Sequence, residues 1–98
     1  MADDELLRVR GDTDSKKLAS VIATDIRDGF SVTMRAIGAG AVNNSVKAVA
    51  IAQRMIDGAG DVLYLRPEFQ DIIMPAGDVT TAIVLYVDIL KAEAIGVL

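Results

Sequence analysis

The stretch Phe30-Ser31-Val32-Thr33-Met34-Arg35-Ala36-Ile37-Gly38-Ala39-Gly40-Ala41-Val42-Asn43-Asn44-Ser45-Val46-Lys47 reads as a strand, a tight turn and the opening of a helix. Phe30, Val32, Met34 and Ala36 alternate with Ser31, Thr33, Arg35 and Ile37, the period of two expected of a half-buried strand. Arg35 therefore points away from the Met34 face. After Gly38-Ala39-Gly40 the period changes. From Ala41 to about Asp57, Val42, Val46, Val49 and Ile56 group on one side of a helix, while Asn43, Lys47 and Arg54 share the other. Asn44, Ile51 and Met55 lie beside that polar stripe and off the core side, so Ile51 and Met55 suggest a strip for self-association.

Working outward, Glu5–Arg10 reads as a short strand ending at Gly11, with Leu7 and Val9 on one face and Arg8 and Arg10 on the other. Asp12-Thr13-Asp14-Ser15 offers N-caps for a helix whose apolar stripe is Leu18, Ile22 and Ile26, and Gly29 is placed to stop it. Beyond a turn at Asp57-Gly58-Ala59-Gly60, a third strand is expected over Asp61–Arg66, ended by Pro67 or confined by it to an edge. Glu68–Asp78 then reads as a loop carrying the apolar run Ile72-Ile73-Met74. Val79–Ile89 is the longest strand, with Ile83, Leu85, Val87 and Ile89 toward the core, and Lys91–Leu98 is too short to classify. The order β-α-β-α-β-β implies an α+β domain spanning residues 1–98, one sheet with both helices on one face.

Composition narrows the chemistry. The 98 residues suit one core, and a mean hydropathy of +0.39 is high for a domain with so much surface to solvate, which points to a subunit interface. The absence of Cys and His removes disulfides, thiolate nucleophiles, imidazole bases and the usual zinc and haem ligands. Asp25 and Asp28 have no base or metal ligand set beside them, so no enzymatic activity, no cofactor and no metal are expected. No run approaches about 20 uninterrupted apolar residues, so no membrane partner is expected. The acidic start Met1-Ala2-Asp3-Asp4-Glu5 does not resemble a secretory signal, and a cytoplasmic location is expected.

A net charge of −4 is the wrong sign for coating nucleic acid by bulk attraction. The basic residues are uneven, however: Arg8, Arg10, Lys16, Lys17, Arg35 and Lys47 fall in the first half, and acids dominate from Asp57 to Asp88. The Gly38-Ala39-Gly40 turn at a helix start favours a phosphate or carboxylate, because the first-turn amides have no intrahelical partner. The turn lacks the third glycine of a dinucleotide fingerprint, where Asn43 stands, and the Lys-Ser or Lys-Thr pair of a phosphate loop. The same glycines would also serve close packing of helix on strand, and both readings stay open.

The run Arg35-Ala36-Ile37-Gly38-Ala39-Gly40-Ala41-Val42-Asn43-Asn44-Ser45-Val46-Lys47-Ala48-Val49-Ala50-Ile51-Ala52 resembles the hallmark segment of the stage V sporulation protein S family. Weaker agreement extends over nearly the whole chain. That family resembles the Alba superfamily of chromatin and RNA-binding proteins, which implies a two-layer sandwich with a mixed four-stranded sheet. The resemblance further implies a dimer or higher oligomer, such as a tetramer, in sporulation or cell-division control. It implies contact with nucleic acid through the loop before the first helix, the turn before the second, and an arm between the last two strands. Lys16 and Lys17 would occupy the first of these, and Arg35, Gly38, Gly40, Asn43, Asn44 and Lys47 would surround the second. This chain departs from the Alba pattern: Ile37 and Ala39 stand where arginines are usual, and Glu68, Asp71 and Asp78 fall where the arm is usually basic. Fewer phosphate contacts follow. Two other readings differ in class, an oligomerising interaction protein using Ile51, Met55 and Ile72-Ile73-Met74, and a binder of a small anion at the Gly38 turn.

Overall fold

A computed structural model describes residues 4–56 and 60–92. The elements are β1 (Asp4–Val9), α1 (Ser15–Arg27), β2 (Ser31–Ala36), α2 (Ala39–Met55), β3 (Val62–Ile73) and β4 (Val79–Leu90). The expected turn at 57–60 lies outside the described residues except for Gly60, and so do the first three residues and the tail from 93 onward.

Local chemistry sets the helix ends. Asp14 is the N-cap of α1, its carboxylate accepting the Lys16 and Lys17 amides. At the other end Phe30 N–H donates to Asp25 O and Gly29 N–H to Ile26 O, with Gly29 at φ 87°. This is a Schellman stop, which favours glycine at its left-handed position.

The sheet order is β1-β2-β4-β3, with β1 and β2 parallel and the other pairings antiparallel. β4 is thus an inner strand, which explains why Ala82, Val84, Leu85 and Val87 are all buried although they point to opposite faces. One face carries the core: Val9, Val32, Met34, Ala36, Leu63, Leu85 and Val87 pack under Leu18, Ile22 and Ile26 of α1 and Val49 of α2. Ile83 and Ile89 border it, as the alternation in β4 requires. Both helices lie on that face, and the α+β, two-layer expectation holds. Among the described residues no helix is long and apolar enough to cross a membrane.

Two expectations are corrected. Val46 is not a core residue: it is 48% exposed, and the buried stripe of α2 is Ala41, Ser45, Ala48, Val49 and Ala52. Small residues let α2 approach its neighbours closely, so the side facing inward is the one with the least side chain. Ser45, completely buried, satisfies its hydroxyl by donating to Ala41 O at 2.9 Å.

The second correction concerns the length of β3: Pro67 does not end the strand, and of the two expectations stated for it, confinement to a sheet edge is the one that holds, because β3 is an outer strand. The strand runs through Pro67 to Ile73, and the expected loop at Glu68–Asp78 is mostly strand, with a turn only across Met74–Asp78. Leu63 explains why. Its N–H donates outward, away from β4, to Gln53 Oε1 at 2.7 Å. Pro67, four residues on and of the same parity, faces the same open edge, where a missing N–H breaks no ladder bond.

If α2 is seated through its small-residue stripe, enlarging that stripe should cost far more than enlarging Val46. Ala48→Leu is expected to lower the unfolding free energy by about 1–3 kcal/mol, and Val46→Leu to change it by less than about 0.5 kcal/mol. Urea unfolding of both variants checks the assignment, and the opposite order would refute it.

Candidate nucleic-acid interface

β1 and β2 run parallel, so the turns after them emerge at the same end of the sheet. The first turn is closed locally: Thr13 N–H donates to Arg10 O, and Arg10 N–H to Thr13 Oγ1 at 2.8 Å. Asn44, on the first turns of α2, fastens the two together by donating its amide to Arg10 O at 3.1 Å and to Gly11 O at 3.0 Å. Ser15 Oγ donates to Asn44 Oδ1 at 3.5 Å. A Cβ placed on Gly40 would stand 3.4 Å from Gly11 Cα, an ordinary van der Waals distance, so the two backbones approach to about the width of one methyl group. The sequence reading put Asn44 among the ligand donors. Its side-chain amide is instead engaged in holding the first turn against the second.

The two helix starts differ electrically. The first turn of α1 is occupied by its own Asp14 carboxylate, which those amide bonds hold below the ordinary aspartate pKa of 3.8. α2 begins at Gly38 (φ 91°, ψ 159°), a conformation essentially confined to glycine. It has no side-chain cap and no acidic residue in its first turn. Its positive end is open to an anion. Asn43 and Lys47, one helical turn apart, are exposed beside it, and Lys16 and Lys17 are exposed across the Gly11–Gly40 contact.

A third element comes to the same end. β2 pairs with β4 only as far as Ala36 opposite Ile83, whereas β3 and β4 remain paired to Ile73 opposite Val79. The hairpin beyond Phe69 and Ile83 is therefore an arm projecting past the two turns. Between arm and α2 runs a groove lined by Ala39, Val42, Asn43, Val46, Phe69 and Ile83.

Arg35 does not join this site. Val32, Met34 and Ala36 are buried beneath the helices, so Arg35 emerges on the opposite face, beside Arg8. Arg10 stays at the turn and pairs with Asp12 at 3.5 Å on a fully solvated surface, where such a pair contributes little. Of the proposed association strip, Ile51 is half-buried against the core and Met55 is exposed. The more exposed apolar residues lie elsewhere: Phe69 is 78% and Ile73 76% exposed on the arm, with Val46 close by on α2. Sequence reasoning missed Phe69 by treating the stretch after Pro67 as a loop. The alternation Leu63, Leu65, Pro67, Phe69 was the signal.

The family model for stage V sporulation protein S matches residues 5–90, which reaches every element of this fold and takes in all but the first residue of β1. The chain belongs to that family. Membership makes it a sporulation-related protein. In this member of the family, the hallmark run covers the end of β2, the Gly38 turn and most of α2. Its Gly40 and Asn44 are the residues that meet the first turn.

The Asp14 cap has a pH signature. Because its folded pKa is lowered, its stabilisation is complete above the unfolded value near 3.8 and is lost as pH falls through the folded value. Asp14→Asn keeps a capping oxygen but removes the titration. Its thermal midpoint should fall less steeply than the parent's below about pH 4. Parallel melting curves in acid would contradict the cap assignment.

Proposed function

We propose that this protein acts by binding, not catalysis, and that as a homo-oligomer it binds nucleic acid at the end of the sheet where the two turns meet. The observation that carries this is the Gly11–Gly40 contact fastened by Asn44. It puts Lys16 and Lys17 on one side of the uncapped start of α2 and Asn43 and Lys47 on the other. Lysines and open backbone amides suit phosphate oxygens and read no bases, so binding would be largely indifferent to sequence. The Alba resemblance supports the same placement, with two turns and an arm together.

Charge sets the strength. Glu68, Asp71 and Asp78 lie on or beside the arm, and the chain is acidic overall. Contact is confined to a few cations per subunit. Three lysines would give a slope of log affinity against log salt no steeper than about −3 per subunit on duplex DNA.

Anisotropy titrations of short DNA and RNA duplexes across salt test this reading. Lys16/Lys17→Ala and Lys47→Ala should weaken binding uniformly across sequences and flatten the slope. No affinity at low salt would refute it.

The oligomer has its own support in the apolar surface of the arm and α2. Phe69, Ile73, Val79 and Val46 are exposed, and a second copy related by two-fold symmetry would cover them. In light scattering, Phe69→Glu and Val46→Glu should shift the protein toward monomer while its fold, followed by circular dichroism, is retained. An unchanged mass in both variants would exclude this surface.

A further inference from the structure

The face of the sheet opposite the helices carries a set of side chains that the turn site does not use. Two rows cross all four strands in register: Arg8, Arg35, Val84 and Glu68, then Leu6, Thr33, Tyr86 and Arg66. Both helices spend their buried residues on the other face, so no described element covers these rows.

Glu68 and Asp88, the acids of β3 and β4 on this face, are already engaged. Glu68 pairs with Arg66 at 2.8 Å and accepts the Tyr86 hydroxyl at 3.4 Å. Asp88 accepts its neighbour's Ile89 N–H at 2.8 Å and the Tyr64 hydroxyl at 3.5 Å. Arg8 and Arg35, by contrast, have no carboxylate within 4 Å among the described residues. Like charges directly opposite on neighbouring strands repel. An anion between them would relieve that repulsion, and strands about 4.8 Å apart bring both guanidinium groups within reach of one phosphate. In the adjoining row the Arg66 guanidinium lies 4.2 Å from the Tyr86 ring centroid, with Leu6 51% exposed at the far end. Flat guanidinium and phenol groups beside an apolar side chain form a surface on which an unpaired base stacks.

We infer that this face binds a single-stranded stretch of nucleic acid, its backbone held by Arg8 and Arg35 and a base stacked at the Arg66–Tyr86 pair. A duplex does not fit the description, because its bases are already stacked inside it. The inference rests on the protein being a nucleic-acid binder and assigns a second surface, separated from the lysine turn by the thickness of the sheet.

The chain has two tyrosines and no tryptophan, which supplies a direct readout. In a Tyr64→Phe background Tyr86 is the only tyrosine, and a single-stranded oligouridylate of about a dozen nucleotides should quench its emission on stacking. Arg8→Gln and Arg35→Gln should each weaken that oligonucleotide by about five-fold or more while leaving duplex affinity unchanged. Tyr86→Leu should weaken it similarly. Lys16/Lys17→Ala should show the reverse preference. If duplex binding depends on the lysines but Tyr86 emission is unaffected and the arginine variants bind the single strand normally, the sheet-face inference is overturned and the turn site stands. If neither polymer binds at low salt, both fall.

Discussion

The contact between the two strand-to-helix turns is the constraint on which the working end of this molecule depends. Gly11 and Gly40 lie close enough that a single added methyl would touch the facing backbone, and the Asn44 amide bonds two carbonyls across the contact. That approach is allowed by the small stripe of α2 below it, Ala41, Ser45, Ala48 and Ala52, which sits deep against the rest of the core. Close packing makes such a seam sensitive to volume. It also makes the separation of Lys16 from Lys47 a property of the folded core and not of flexible loops.

The second constraint comes from strand parity. An edge strand has one set of N–H groups that pair with its neighbour and one that faces outward, and β3 places Pro67 in the outward set. The strand can then run for twelve residues and carry the arm past the turns. A proline at that edge also removes one unpaired donor from a strand that would otherwise invite another chain. The exposed apolar residues of the arm lie on its helix-side face, so association there would use side chains and not the sheet edge.

Acidic and basic groups are distributed so that several carboxylates are locally engaged, leaving a few cations without a carboxylate partner among the described residues. Asp14 caps a helix, Glu68 holds Arg66, Asp88 serves a tyrosine and its own backbone, and Asp71 accepts from Thr81 across the arm. The net charge of −4 therefore understates how positive individual patches are. Over the roughly 8–10 Å of a Debye length at moderate salt, the local arrangement matters more than the sum.

From its sequence alone, the chain declared its element order, the stop of α1 and the core faces of β2 and β4. These follow from short-range rules: a period of two or 3.6, a capping carboxylate, a glycine after the last turn. The candidate site was legible in part, since Lys16, Lys17, Asn43 and Lys47 stand at the strand-to-helix turns and parallel strands bring such turns to one end. Tertiary structure alone decided the rest. Whether Pro67 stops a strand depends on which edge its nitrogen faces, whether Val46 is buried depends on which side of α2 has room to approach, and Asn44 found its carbonyls 33 and 34 residues away. Arg35 shows the division most clearly: alternation had already turned it away from Met34, but only the stacking of both helices on one face revealed that it stands beside Arg8 on the other side of the sheet.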